Sequence, residues 1–171
     1  MSVVSRNMLR GFVLLVWLAS LFPIQHPAQA ATPLPPVDLF QLPWDQGLAW
    51  YAIDGFDDGS DRPAGSSHNY NNGGAVDFAP RLNMVTGADT SNAWVAAAAD
   101  GVVSDASFCF VRITHAGGWT TEYQFLANVT VKKGDVVARN QRLGILADGV
   151  KYPYCPGYQE PNTPHVHFTL R

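Results

Sequence analysis

The chain has 171 residues with 11 basic and 14 acidic side chains, a formal net charge of −3, and 47% hydrophobic residues. That apolar content supports a packed globule rather than a disordered chain. An acidic balance without a Lys/Arg cluster argues against nucleic acid or an anionic membrane as partner.

Residues 1–30 read as a secretory signal peptide: Arg6 and Arg10 precede an apolar run from Gly11 to Phe22, and Ala28-Gln29-Ala30 supplies small residues at the cleavage positions. The run is too short for a spanning helix with these flanks, and no later stretch is long and apolar enough to cross a bilayer. The expected location is therefore secreted, extracellular or periplasmic, with no membrane association after cleavage. The remaining 171 − 30 = 141 residues carry 11 − 2 = 9 basic against 14 acidic side chains, a net charge near −5. That length suits one core and one domain. Residues 31–38 are proline-rich and expected to be a flexible lead-in, with a single β domain over 39–171. Two cysteines remain, Cys109 and Cys155, and export favours a disulfide over a pair of zinc thiolates. Closing that loop would contribute up to roughly 4 kcal/mol.

Gln41 to Trp50 carries two tryptophans around a turn and is expected to cap the core, or else to line one wall of a groove. Asp54 to Asp61 resembles a calcium loop only superficially. Its acidic spacing does not fit the twelve-residue template, so a surface loop is expected. The Asn-Asn-Gly-Gly run ending at Gly74 is a turn leading into a short strand, Ala75 to Ala79. There Val76 and Phe78 face the core and Asp77 the other side. A carboxylate so placed must be exposed, paired or metal-bound, and His68 across the glycine turn is its nearest candidate partner. From Trp94 onward short strands follow at hairpin spacing: Trp94 to Ala99, Val102-Val103, Phe108 to His115, Trp119 to Leu126, Val129 to Lys132, Val136-Val137 and Leu143 to Leu146. No amphipathic helix interrupts them, so the fold class is all-β: an antiparallel, hairpin-rich sheet or open barrel. A proline-rich loop from Gly149 delivers the chain to Pro164-His165-Val166-His167-Phe168. On a strand, His165 and His167 project together while Val166 and Phe168 point into the other layer.

The chemistry is bounded by what is missing. There is no helical His-Glu-x-x-His, and the only glutamates are Glu122 and Glu160. No Gly-x-Ser-x-Gly elbow and no phosphate-cradling glycine motif occurs. What remains is ligation from a β scaffold by His68, Asp77 and one or both of His165 and His167. Two imidazoles, one carboxylate and solvent make a catalytic type of zinc site, and a further histidine could carry protons.

The order His68…Asp77…His165-x-His167 resembles the lysostaphin-type zinc endopeptidases, and most closely the secreted beta-lytic and staphylolytic branch. The likeness extends to the Gln-Leu-Pro-Trp opening at 41–44, Cys109 before Arg112 to His115, the Val131 to Gly144 hairpin, Cys155, and Pro164 to Phe168. The resemblance implies one zinc ion per chain held by His68, Asp77 and His167. It implies His165 as a catalytic histidine, a Cys109–Cys155 disulfide, and an antiparallel β fold with a groove over the metal. It further implies hydrolysis of peptide bonds in peptidoglycan cross-bridges or similar glycine-rich peptides. Tyr123 and Phe125 are candidate groove residues.

One departure stands out. Where the family has a second catalytic histidine, in a pattern like Tyr-x-His-Leu, this chain reads Tyr123-Gln124-Phe125-Leu126. Phenylalanine neither donates nor accepts a proton, and loss of one such group costs roughly a hundredfold to ten-thousandfold in rate. The expected alternative is therefore a zinc-bearing, catalytically impaired wall-binding or regulatory module. Strand alternation puts Glu122 and Gln124 on the face opposite Phe125. Family members also run on beyond the His-x-His strand, whereas this sequence stops at Arg171, as a fragment would.

Overall fold

The computed structural model describes residues 34–54, 68, 74–151 and 164–171. The expected leader 1–30, most of the acidic loop and of the Asn-Asn-Gly-Gly turn, and Cys155 with most of its loop lie outside them. Among these residues ten strands follow one another: β1 Tyr51–Asp54, β2 Val76–Ala79, β3 Trp94–Ala96, β4 Gly101–Ala106, β5 Phe110–His115, β6 Thr120–Gln124, β7 Leu126–Ala127, β8 Val136–Val137, β9 Arg142–Leu146 and β10 Val166–Leu170. A single 3-10 turn, Ala116–Gly118, is the only helical piece among the described residues. The fold is all-β, as the hairpin spacing predicts.

The strands form two open antiparallel sheets, one of seven strands in the order β1-β2-β10-β6-β5-β4-β8 and one of three in the order β3-β9-β7. The last strand of the sequence is thus inserted between β2 and β6. Residues 90 positions apart, Asp77 and His167, become direct cross-strand neighbours with their side chains in contact.

Alternation along the central strands sorts side chains onto two faces. Val111, Ile113, Tyr123 and Val166 point inward, where Val95, Leu126, Leu143 and Leu146 of the small sheet meet them in one buried cluster. Phe78 and Phe168 pack against the same cluster, as expected of residues flanking Asp77 and His167. Gly101 sits where β4 passes between β5 and β8; a Cβ there would lie 2.6 Å from both Ile113 Cγ2 and the Thr114 carbonyl oxygen. Glycine is the residue that permits this approach.

Two local expectations are corrected. Trp94 to Ala99 is a strand only to Ala96, because Ala97 donates to the Gln141 carbonyl and Ala98 to the Tyr123 hydroxyl instead of a ladder partner. Val129 to Lys132 joins no sheet; Thr130 N–H bonds to the Leu143 carbonyl, while Val136–Val137 pairs with β4. The edge strand β1 carries no apolar alternation that would announce it, and its pairing with β2 creates it. The tryptophan turn does cap the core. Trp44 is buried and stacks on Trp50 with ring centroids 5.2 Å apart, and its edge meets Phe78 at 5.1 Å.

Candidate metal centre

β2 and β10 bring the polar residues together on the face turned away from the core. Asp77 and His167 are register partners, and His167 Nδ1 lies 2.8 Å from Asp77 Oδ1. His68 enters from the chain preceding β2, with Nε2 3.4 Å from Asp77 Oδ2, and His165 Nε2 approaches the same oxygen at 3.3 Å. The His68 and His167 rings meet edge to face at 4.9 Å. All four residues are buried, none above 8% exposed. One donor atom each from His68, Asp77 and His167 falls within 4.8 Å of the others; no other such group of three occurs among the described residues.

The tautomer of His68 tests whether a cation fits. Its Nδ1 lies 3.1 Å from the Ala75 carbonyl oxygen, which only accepts, so Nδ1 carries the proton. A neutral ring then turns the Nε2 lone pair toward an anionic oxygen. Positive charge shared between them, a second proton or a metal ion, removes that repulsion. A ligating imidazole whose other N–H is fixed by a carbonyl is the usual arrangement at zinc sites. Two imidazoles and one carboxylate form a three-donor set that leaves a coordination position open. The residues fit the metal.

Phe125 stands beside this group. Its ring meets His165 edge-on at 4.9 Å and His167 at 5.9 Å. It also packs with Cys109, Ala127, Ile145 and Ala147 in a small buried cluster. Its backbone is left-handed, φ 65°, which is unusual for a bulky side chain and costs of order 1–3 kcal/mol. That one residue breaks the alternation between β6 and β7. The expectation that Glu122 and Gln124 lie on the far face from the site is therefore wrong: Gln124 pairs with His167 across the ladder, and directly opposed residues share a face. Glu122 lies on this face as well, pairing with Arg112 at 2.9 Å.

Tyr123 is not a groove residue. It is fully buried, and its hydroxyl accepts from Ala98 N–H at 2.8 Å. Burial pushes its phenol up to about 12. On the same inner face His115 is buried, with Nδ1 donating to the Asp100 carbonyl at 2.8 Å and Nε2 2.7 Å from Thr121 Oγ1. Thr121 Oγ1 in turn lies 2.9 Å from the Tyr123 hydroxyl. With Nδ1 protonated, every group in this chain is satisfied by a neutral imidazole: Tyr123 donates to Thr121 and Thr121 to His115 Nε2. Desolvation lowers the His115 pKa, outweighing the Asp100 hydrogen bond and charge that raise it. Sequence reasoning missed this network; a Thr121-x-Tyr123 pair opposite a histidine was its one visible trace. Cys109 is buried and is not a free thiol, while Cys155 lies outside the described residues.

The profile of peptidase family M23 matches residues 83–171. His165 and His167 fall inside that match, whereas His68 and Asp77 precede it and rest on the geometry above. Protease LasA of Pseudomonas aeruginosa is 34% identical over 136 residues, covering 80% of this chain and 30% of LasA. The beta-lytic metalloendopeptidase of Lysobacter enzymogenes is 30% identical over 137 residues, covering 80% of this chain and 70% of that protein. The solved M23 metalloprotease pseudoalterin is 33% identical with a TM-score of 0.60, over 80% of this chain and 72% of that one. The chain thus spans under a third of LasA's length. On the family profile, these relatives and the shared β fold, this chain belongs to peptidase family M23.

Proposed function

We propose that the protein is an exported zinc metalloendopeptidase that hydrolyses peptide bonds in bacterial cell-wall cross-bridges. The observation that carries this reading is the convergence of His68, Asp77 and His167 on one point of the sheet, with His165 beside them. Those three residues would hold one zinc ion, which supplies Lewis-acid polarisation of a peptide carbonyl and activation of water. His165 would take and return the proton of the attacking water. Export rests on the leader over 1–30, and the same compartment supports a Cys109–Cys155 disulfide tying the late loop to the chain before β5. The relatives, a protease and a metalloendopeptidase, support a peptide bond as the substrate; a wall peptide with glycine-rich cross-bridges follows from the lysostaphin-type resemblance.

Purified protein is expected to carry about one zinc per chain and to clear a wall suspension, with chelation abolishing clearance and zinc restoring it. Absence of wall or glycine-peptide cleavage at full zinc occupancy overturns the enzyme reading. A second reading draws on Phe125, whose ring fills the space beside His165 without a proton to give. In it the protein binds wall peptide and zinc but turns over little or not at all. Phe125→His separates the two: a large gain in cleavage marks the native protein as impaired, and an unchanged rate marks that histidine as dispensable here.

A further inference from the structure

Gln124 ends β6, directly opposite His167 on β10 and Phe110 on β5. Opposed residues on antiparallel strands have Cβ atoms about 4.5–5.5 Å apart on the same face. The face is fixed independently by contacts on either side: Asp77 with His167 and Arg112 with Glu122. Gln124 therefore shares a face with His167 of the candidate metal centre, half-buried and within side-chain reach of it. Among the described residues no group is hydrogen-bonded to that carboxamide, although polar groups withdrawn from water ordinarily find partners.

Among the described residues, its immediate neighbours other than the imidazoles supply no donor. Phe125 covers His165 with a hydrocarbon ring, Asp77 only accepts, and Phe110 on the far side is apolar. Water adding to a peptide carbonyl drives the π pair onto oxygen, and fixed N–H donors aimed at that oxygen stabilise the charge. We propose that Gln124 is a catalytic residue of this site, its side-chain N–H donating to the carbonyl oxygen of the scissile peptide and so serving where Phe125 has no donor. Gln124 transfers no proton. The water oxygen bonds to carbon, both of its protons pass in turn by way of His165 to the amine nitrogen, and the C–N bond breaks to give carboxylate and ammonium. This assignment rests on the peptidase reading above.

The test uses zinc-loaded full-length protein with two probes, a cleavable glycine peptide and a phosphinic glycine peptide whose tetrahedral anion mimics the charged oxygen. Gln124→Met keeps the length of the side chain and removes the donor. The expected result is a fall in kcat of roughly a hundredfold to a thousandfold with KM changed far less. Phosphinate affinity should fall with kcat, zinc content should stay at wild type, and Gln124→His, which restores a donor, should recover much of both. Unchanged phosphinate affinity in Gln124→Met overturns the assignment while leaving a working wild-type peptidase intact. Loss of zinc from Gln124→Met overturns it as well, by making the residue a support of the metal centre. A fully loaded wild type that neither cleaves the peptide nor binds the phosphinate removes the peptidase reading and this assignment together.

Discussion

The two faces of the large sheet bury histidines to opposite ends. On the inner face His115 closes a chain of hydrogen bonds from Asp100 through Thr121 and Tyr123 to Ala98, and a neutral ring satisfies all of it. On the outer face three imidazole nitrogens crowd the carboxylate of Asp77 within 3.4 Å, and His68 has acceptors at both nitrogens. Similar burial thus goes with different chemistry, decided by whether the partners can be satisfied without added charge. One imidazole is structural. The others suit the cation proposed for the site.

Removing Asp77 breaks that contrast most completely. Asp77→Ala should weaken zinc binding by more than the roughly tenfold to hundredfold typical of supporting residues, and should take cleavage to background; zinc bound as tightly as in the wild type would show that the outer cluster is no metal centre. Phe125→His comes next. If proton transfer limits the native protein, turnover should rise by roughly a hundredfold to ten-thousandfold, measured on a glycine peptide at matched zinc content. Histidine also tolerates left-handed backbone better than phenylalanine, so the gain should come without loss of Tm.

On the inner face the effects are on stability. Gly101→Ala forces a Cβ against backbone and should cost about 1–3 kcal/mol in denaturant unfolding. Tyr123→Phe strands the buried Ala98 N–H, at a cost of roughly 1–3 kcal/mol, with zinc content unaffected. The smallest effect is in pH dependence. The folded pKa of His115 is lowered, so between the unfolded value near 6.5 and the folded one the unfolded chain binds the extra proton. Its neutral burial is then without penalty above about pH 6.5 and loses stability as pH falls through that window. His115→Gln should therefore lose less Tm than the wild type between neutral pH and about pH 5; equal losses would mean that His115 is charged in the fold.

Much of this was legible in the residues. Hairpin spacing announced an all-β chain, and the parity of Val76-Asp77-Phe78 and His165-Val166-His167 told which side chains leave the core. Both hold because a strand's period of two is local. The same rule failed at Phe125, where one left-handed residue resets the parity and brings Gln124 and the phenyl ring to the same imidazoles. It was also silent on depth: Tyr123 reads as a candidate groove residue, yet it is fully buried in one cluster with residues of the small sheet.

By itself, then, the sequence determined the strand pattern and the set of side chains able to ligate a metal, since residue type and alternation are properties of neighbours along the chain. Only the tertiary structure decided that β10 inserts between β2 and β6, which joins Asp77 to His167. It alone decided that His115 is spent on the core and that Gln124 faces the site, because register between distant strands is set by the packing of the whole sheet.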